Sequence, residues 1–221
     1  MITLALESST YEGSVALLDG VQLLGERVVT MRGREQEALM AAVGELLAAA
    51  ELSPTAIRRV VCGSGPGSFT SLRISAAIAK GLAMASGAAL YPVSSLRLLV
   101  ESSESRRAGR FLAAVDAMRG ESYVQEFEFN EGGSIVSAGA LALIATPTLV
   151  QLAESRDAKL IGPQQSEGAR VVPRASAARH ITNMIGAWEP ADLAAWEPGY
   201  GRLAEAQVKW EAVHGRALQS N

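Results

Sequence analysis

The sequence predicts an α/β fold assembled from two copies of one pattern, the second thinner than the first. Three observations carry that reading. Apolar runs of strand length at 2–7, 13–18 and 21–30 are separated by a polar loop and by Asp19-Gly20, a strong hairpin-turn dipeptide. The run Val60-Val61-Cys62 is followed by a glycine-rich turn and a long helix-forming segment, which reads as strand, loop, helix. After residue 110 the opening order of strand, acid, polar loop, strand, turn and strand comes back, as an internal duplication would give.

In chain order, residues 2–7 (ITLALE) end on Glu7, and Ser8-Ser9-Thr10-Tyr11-Glu12 lead into the second and third strands of an antiparallel meander. A helix over 34–50 places Leu39, Val43, Leu46 and Ala50 on one face. Its other face is small, with Ala38, Ala41, Ala42, Ala48 and Ala49 around Glu45. Ser53-Pro54 sets proline at a first helical position, and a strand over 59–62 leads to the stretch 63–87, GSGPGSFTSLRISAAIAKGLAMASG.

In that stretch Ser68 is the expected N-cap, and Gly87 supplies the left-handed residue that closes a helix. Ile74, Ile78, Leu82 and Ala85 share the face expected to meet the sheet. Leu72, Ala76, Ala79 and Ala83 form the opposite, small face, which would let a second helix approach closely. Only a narrow stripe with Arg73 and Lys80 is charged. A helix apolar almost all round is expected to be buried almost all round.

A strand over 88–93 and a helix capped by Ser94 or Ser95 and reaching about residue 102 complete the first copy. The polar stretch 101–110 (ESSESRRAGR) has no hydrophobic period and reads as a linker, dividing the chain into 1–102 and 103–221. The second copy has strands over 111–116, ending on Asp116, over 122–129 and over 134–143, with turns at 117–121 and 130–133. A short helix from Thr146-Pro147 to about 155, a strand over 159–161 and a helix over 175–187 follow. The tail from Trp188 carries Trp196, Tyr200 and Trp210 as apolar anchors.

Composition narrows the function classes. With 48% hydrophobic residues among 221, a substantial core is available. A net charge of −3 argues against a surface that neutralises nucleic-acid phosphates unaided, and Arg106-Arg107 with Arg110, beside Glu101 and Glu104, reads as a solvated loop. No apolar run has the length of a membrane span and the start Met1-Ile2-Thr3 lacks a basic region, so the expected location is the cytoplasm. The lone Cys62 is expected to be a buried apolar residue. His180 and His214 have no Cys or His nearby at ligand spacing, so no metal site is expected.

The catalytic inventory is poor. Glu7, Ser8, Ser9 and Thr10 could form a phosphate loop, with hydroxyls and amides on the anion and the acid holding a metal through water. The favoured alternative is a tight turn whose Ser and Thr satisfy local backbone groups. Residues 63–68 lack the P-loop lysine, because Phe69-Thr70 stands in its place, and the glycine spacing does not match a dinucleotide fingerprint. No Gly-x-Ser-x-Gly elbow occurs around Ser64 or Ser68. Glu7 and Asp116, at equivalent places in the two copies, could face each other across a cleft. No catalytic residue is assigned.

Several stretches resemble the TsaB (YeaZ) proteins. They are Leu4-Ala5-Leu6-Glu7-Ser8-Ser9-Thr10, the block Gly65-Pro66-Gly67-Ser68-Phe69-Thr70-Ser71-Leu72-Arg73-Ile74, and Lys80-Gly81-Leu82-Ala83. Val93-Ser94-Ser95-Leu96, Asp116-Ala117-Met118-Arg119-Gly120-Glu121 and Trp196-Glu197-Pro198-Gly199-Tyr200-Gly201-Arg202 add to the likeness, which is weakest over 130–190. The resemblance implies an actin-like (ribonuclease H-like) fold of two duplicated mixed-sheet lobes, the second reduced. It also implies a non-catalytic scaffold and activating subunit in the machinery that places a threonylcarbamoyl group on the adenosine beside the anticodon of tRNA.

The partners so implied are a larger paralogous catalytic subunit of the TsaD type, a small ATPase of the TsaE type, and tRNA only through the complex. Alone, the chain would be a homodimer through its first two helices, with Ala38, Ala41, Glu45, Ala48, Leu72, Arg73, Ala76, Ala79, Lys80 and Ala83 as contact residues. No cofactor is required by the isolated chain, with weak or interfacial ATP or ADP with Mg as the only nucleotide role. Three positions depart from the family pattern: Glu7 replaces an aspartate, Glu35-Gln36 a His-Ser or His-Thr pair, and Ser71 a glycine. The alternative reading is an autonomous nucleotide-dependent kinase or metallopeptidase of the same superfamily. The missing histidine cluster and poor phosphate loop count against it.

Overall fold

The opening apolar runs pair as their turn chemistry requires. In the computed structural model, which describes residues 1–31, 38–103, 108–130, 134–162, 171–186, 188–201 and 213–214, β1 (Ile2–Glu7), β2 (Glu12–Asp19) and β3 (Gln22–Thr30) form an antiparallel meander. β4 (Arg59–Gly63) adds parallel to β1, and β5 (Ala89–Val93) parallel to β4, giving the order β3-β2-β1-β4-β5. Parallel addition needs crossovers, supplied by α1 (Ala38–Ala49) before β4 and α2 (Phe69–Ser86) before β5. Both helices pack on one face of this sheet, over Leu4, Leu6, Leu17, Val60 and Cys62. Residues 34–37 of the predicted first helix lie outside the described residues.

The second sheet repeats the first. β6 (Gly109–Asp116) pairs antiparallel with β7 (Glu121–Phe129) and parallel with β10 (Ala158–Ile161), as β1 does with β2 and β4. α3 (Ser95–Glu101) wedges between the lobes: Leu96, Leu99 and Val100 join the core of the second sheet, while Leu98 joins the far face of the first. α4 (Leu149–Ser155) covers the other face of the second sheet, over Leu112, Ala114 and Val124. The duplicated, reduced second lobe expected from the sequence is the one observed.

Four expectations are corrected. The single strand expected over 134–143 is two, β8 (Ile135–Ser137) and β9 (Ala142–Ala145), both edged onto β7, because Gly139 interrupts the run. The helix expected over 175–187 is a 3-10 turn, Ala175–His180, followed by the single-turn α5 (Thr182–Ile185). Its alanines pack on the first sheet, beneath Ala5, Ala16 and Val61, so much of the chain from 174 onward belongs with the first lobe and not with a unit over 103–221. Finally, Ser68 occupies the N-cap position without capping; its hydroxyl pairs with Ser71 Oγ at 2.9 Å. Gly87 closes α2 as expected, at φ 67°, with its amide bonded to the Ala83 carbonyl.

Trp188 and Trp196 are half-buried anchors, Trp188 against the core beneath the first sheet and Trp196 against the core under α1 and α2. Trp210 and residues 104–107 of the expected linker lie outside the described residues. Among those residues, no helix is long and apolar enough to cross a membrane.

Candidate functional site

Glu7 ends β1 and is fully buried. The Ser9 amide donates to its Oε1 at 2.6 Å and the Ser95 hydroxyl to its Oε2 at 2.9 Å, while the Gly65 amide donates to that same Ser95 oxygen at 3.1 Å. Gly63 backs onto the carboxyl so tightly that a Cβ there would collide with it. Burial pushes the Glu7 carboxyl above the usual carboxylate range, outweighing the lowering effect of hydrogen bonds from Ser9 and Ser95. A dry carboxyl with both oxygens engaged has little left with which to hold a hydrated cation.

The rest of the loop is committed likewise, except that the buried Ser9 hydroxyl has no hydrogen-bond partner among the described residues. Ser8 Oγ donates to the Ser71 carbonyl at 2.9 Å and lies 2.7 Å from Ser75 Oγ, tying β1 to α2. The Ser9 carbonyl accepts from the Ser68 amide at 2.7 Å, and Gly67 presses against it with no room for a side chain. Thr10 Oγ1 donates to the Glu12 carbonyl at 2.9 Å. Glu7, Ser8, Ser9 and Thr10 are thus brought together with the glycine-rich loop, but as a packed turn. They do not fit a magnesium nucleotide.

The matching loop of the second lobe faces this one. Tyr11 Oη donates to Met118 Sδ at 3.1 Å. Asp116 accepts from the Met118 amide at 2.8 Å and braces a turn in which Met118, Arg119 and Gly120 all have left-handed backbones. Glu7 and Asp116 each serve their own turn and form no carboxylate pair. Among the described residues no group of three His, Cys, Asp or Glu could hold a metal. Cys62 is buried, and burial pushes its thiol up to about 12.

The outer faces of α1 and α2 make the other candidate site. On α1 the expected face is the observed one: Ala41, Glu45 and Ala48 are exposed, Ala38 is half-buried, and Glu45 pairs with Arg27 at 3.5 Å; only Ala42 turns inward. On α2 the face expected inward is largely the observed one, with Leu82 buried and Ile74 and Ile78 packed half-buried on the same core while Ala85 is exposed, but the small face turns inward as well. Leu72, Ala76, Ala79 and Ala83 lie buried against the sheet, with Ala79 at 0% exposure, and so cannot be contact residues. Leu4, Leu6, Val60 and Cys62 already fill the interface from the sheet side, and the serine bonds from Ser8 draw α2 close, so the helix contributes small residues there.

Outward on α2 are Arg73, Ala77, Gly81, Met84 and Ala85, with Ile74 and Ile78 half-exposed at their flank. Arg73 stacks over Phe69, and Lys80 donates to the Trp196 carbonyl at 3.0 Å. Met40, 48% exposed, and Met84, 70% exposed, are apolar residues left in water. Gly44 and Gly81 sit in mid-helix, and a Cβ at either would meet nothing within 4 Å. Glycine costs about 0.8–1.0 kcal/mol relative to alanine at such positions, and among the described residues no contact needs its smallness. Those two glycines were the sequence signal for this surface.

Two lobes whose sheets share one pairing scheme about their first strands define a duplicated actin-like protein. A family model described as "TsaD: tRNA N6-adenosine threonylcarbamoyltransferase" matches residues 32–169. The chain belongs to that family, in its TsaB (YeaZ) branch. It is 27% identical over 229 residues to the tRNA threonylcarbamoyladenosine biosynthesis protein TsaB of Bacillus subtilis, covering 95% of this chain and 98% of that protein. The Escherichia coli protein of the same name is 34% identical over 134 residues, 60% of this chain and 58% of the other. YeaZ from Pseudomonas aeruginosa superposes with a TM-score of 0.72 at 26% identity, over 90% of this chain and 99% of that one.

Proposed function

We propose that this chain serves tRNA threonylcarbamoyladenosine biosynthesis as a non-catalytic subunit that presents a surface instead of a reacting group. The observation that carries the reading is a contrast between its two candidate sites. The Glu7 carboxyl and the Ser8 and Thr10 hydroxyls that could hold a nucleotide are spent on internal bonds and the Ser9 hydroxyl is buried, whereas the outer face of α1 and α2 leaves two methionines and two mid-helix glycines exposed.

That face takes a helix pair of similar fold. A second copy occupies it when the chain is alone, and the larger paralogous catalytic subunit takes it over in the complex. A small ATPase completes the assembly, which works in the cytoplasm. A net charge of −3 fits a subunit that meets tRNA only through its partners. The isolated chain needs no nucleotide or metal.

Calorimetric titration of ATP with Mg²⁺ into the isolated chain should give no binding heat, and a purified sample no ATP turnover. Co-expression with the larger paralogue from the same genome should yield a stable pair. Tight nucleotide binding that vanishes in Glu7→Gln would instead support the kinase reading.

A further inference from the structure

We propose that residues 196–201 form a built-in strap that fixes the angle between the two lobes, doing with the chain itself what a ligand across the loop cleft would otherwise do. The strap is anchored to the first lobe at several points. The Trp196 side chain packs on the core beneath α2, and its carbonyl accepts from Lys80 Nζ. Pro198 is buried. The Gly199 amide donates to the Ser64 carbonyl at 2.8 Å, and the Gly199 carbonyl lies so close over Gly65 that no side chain would fit between them. The Tyr200 ring meets Phe69, at the first residue of α2, with centroids 4.5 Å apart.

The next contact is in the other lobe. Tyr123 Oη, from β7, donates to the Tyr200 carbonyl at 3.2 Å, and the Tyr123 ring packs against the Cα of Gly201. Gly201 has φ 76°, so the chain turns there on a conformation that any larger residue would strain.

This contact matters because of where the other interlobe connection sits. α3 joins the lobes across one face of the first sheet, packed there beside the 3-10 turn Ala175–His180, and the strap begins on the opposite face, beside α2. The exposed contact from Tyr11 to Met118 aside, one packed connection acts as a hinge, whereas two on opposite faces set an angle. The strap also covers the glycine-rich loop at Ser64 and Gly65. The lobe angle therefore needs no ligand, and the start of α2 is held still with it.

The test reads distances between spin labels on introduced cysteines. The native Cys62 is buried and will not take label. Thr55→Cys and Glu154→Cys, both exposed, report across the lobes, and Thr55→Cys with Gln22→Cys reports within the first lobe. Labelled chain is diluted in unlabelled chain so that only intramolecular distances contribute. The native strap should give a narrow interlobe distribution. Tyr200→Ala and Gly201→Val should each at least double its width while the intralobe distribution stays narrow. Tyr123→Phe, which removes only one hydroxyl, should fold normally and widen it by a smaller amount. An interlobe distribution that stays native in width in all three variants overturns the proposal. So does equal broadening of both label pairs, since that would make the strap a general stabiliser of the first lobe.

Discussion

Gly81→Arg is expected to leave the chain folded and abolish its self-association, whereas Ala79→Arg, two residues earlier, is expected to prevent folding. Gly81 faces open space, so arginine there adds no clash within the monomer and gains about 0.8–1.0 kcal/mol of helix propensity. In a symmetric pair the same side chain intrudes twice, at about 1–3 kcal/mol per site, which weakens association by roughly thirtyfold or more. Ala79 is packed against the sheet with no exposure. Arginine there overfills the core and buries an unpaired charge, a combined loss of about 5 kcal/mol or more against a total stability of about 5–15 kcal/mol. Sedimentation and circular dichroism separate the outcomes. A Gly81→Arg chain that remains dimeric would move the interface off α2, and a stable Ala79→Arg chain would contradict the packing of that helix.

Glu7→Ala should cost about 2–5 kcal/mol, because it leaves a cavity and deprives the Ser9 amide and Ser95 hydroxyl of their acceptor. Glu7→Gln should behave differently. Below pH 4.5 folded and unfolded chains both carry the Glu7 proton, and titration contributes nothing to stability. As pH rises past 4.5 the unfolded chain releases the proton first, since burial holds the folded value higher. Native stability therefore falls with rising pH, and goes on falling until the folded value is passed. Glutamine mimics the protonated carboxyl and cannot titrate, so urea unfolding of Glu7→Gln should lack that downward slope. An unchanged slope in Glu7→Gln would place its origin at another group.

Much of the fold was legible because its signals are local. Asp19-Gly20, the apolar runs and Gly87 each specify a turn, a strand or a helix end by short-range chemistry, and the second copy could be read by comparison with the first. The inward place of the small face of α2 was not legible, although Leu82 was expected inward and is buried. Periodicity marks two apolar faces on a helix, but whether the small one meets the sheet depends on how much volume β1 and β4 have already supplied. The resulting choice of Ala76, Ala79 and Ala83 over Gly81 and Met84 follows from large residues being expected inward.

The split of 134–143 had one local sign, Gly139, but where each half pairs along β7 is a long-range property. At the loop, Glu7 to Thr10 were found as a group, but their role turned on burial. A serine beside a carboxylate reads the same in sequence whether it faces solvent or the interior. The return of 174–201 to the first lobe had no local signal beyond its tryptophans and Tyr200.

The most direct measurement is tRNA threonylcarbamoylation in a system reconstituted from the larger paralogue, the small ATPase and this chain. Omission of the chain, or its replacement by Gly81→Arg, should remove modification by the same amount, while Glu7→Gln should support it in full. Loss of modification with Glu7→Gln, in a chain that still folds and still pairs, would mean that Glu7 takes part in the chemistry and that the subunit is more than a surface.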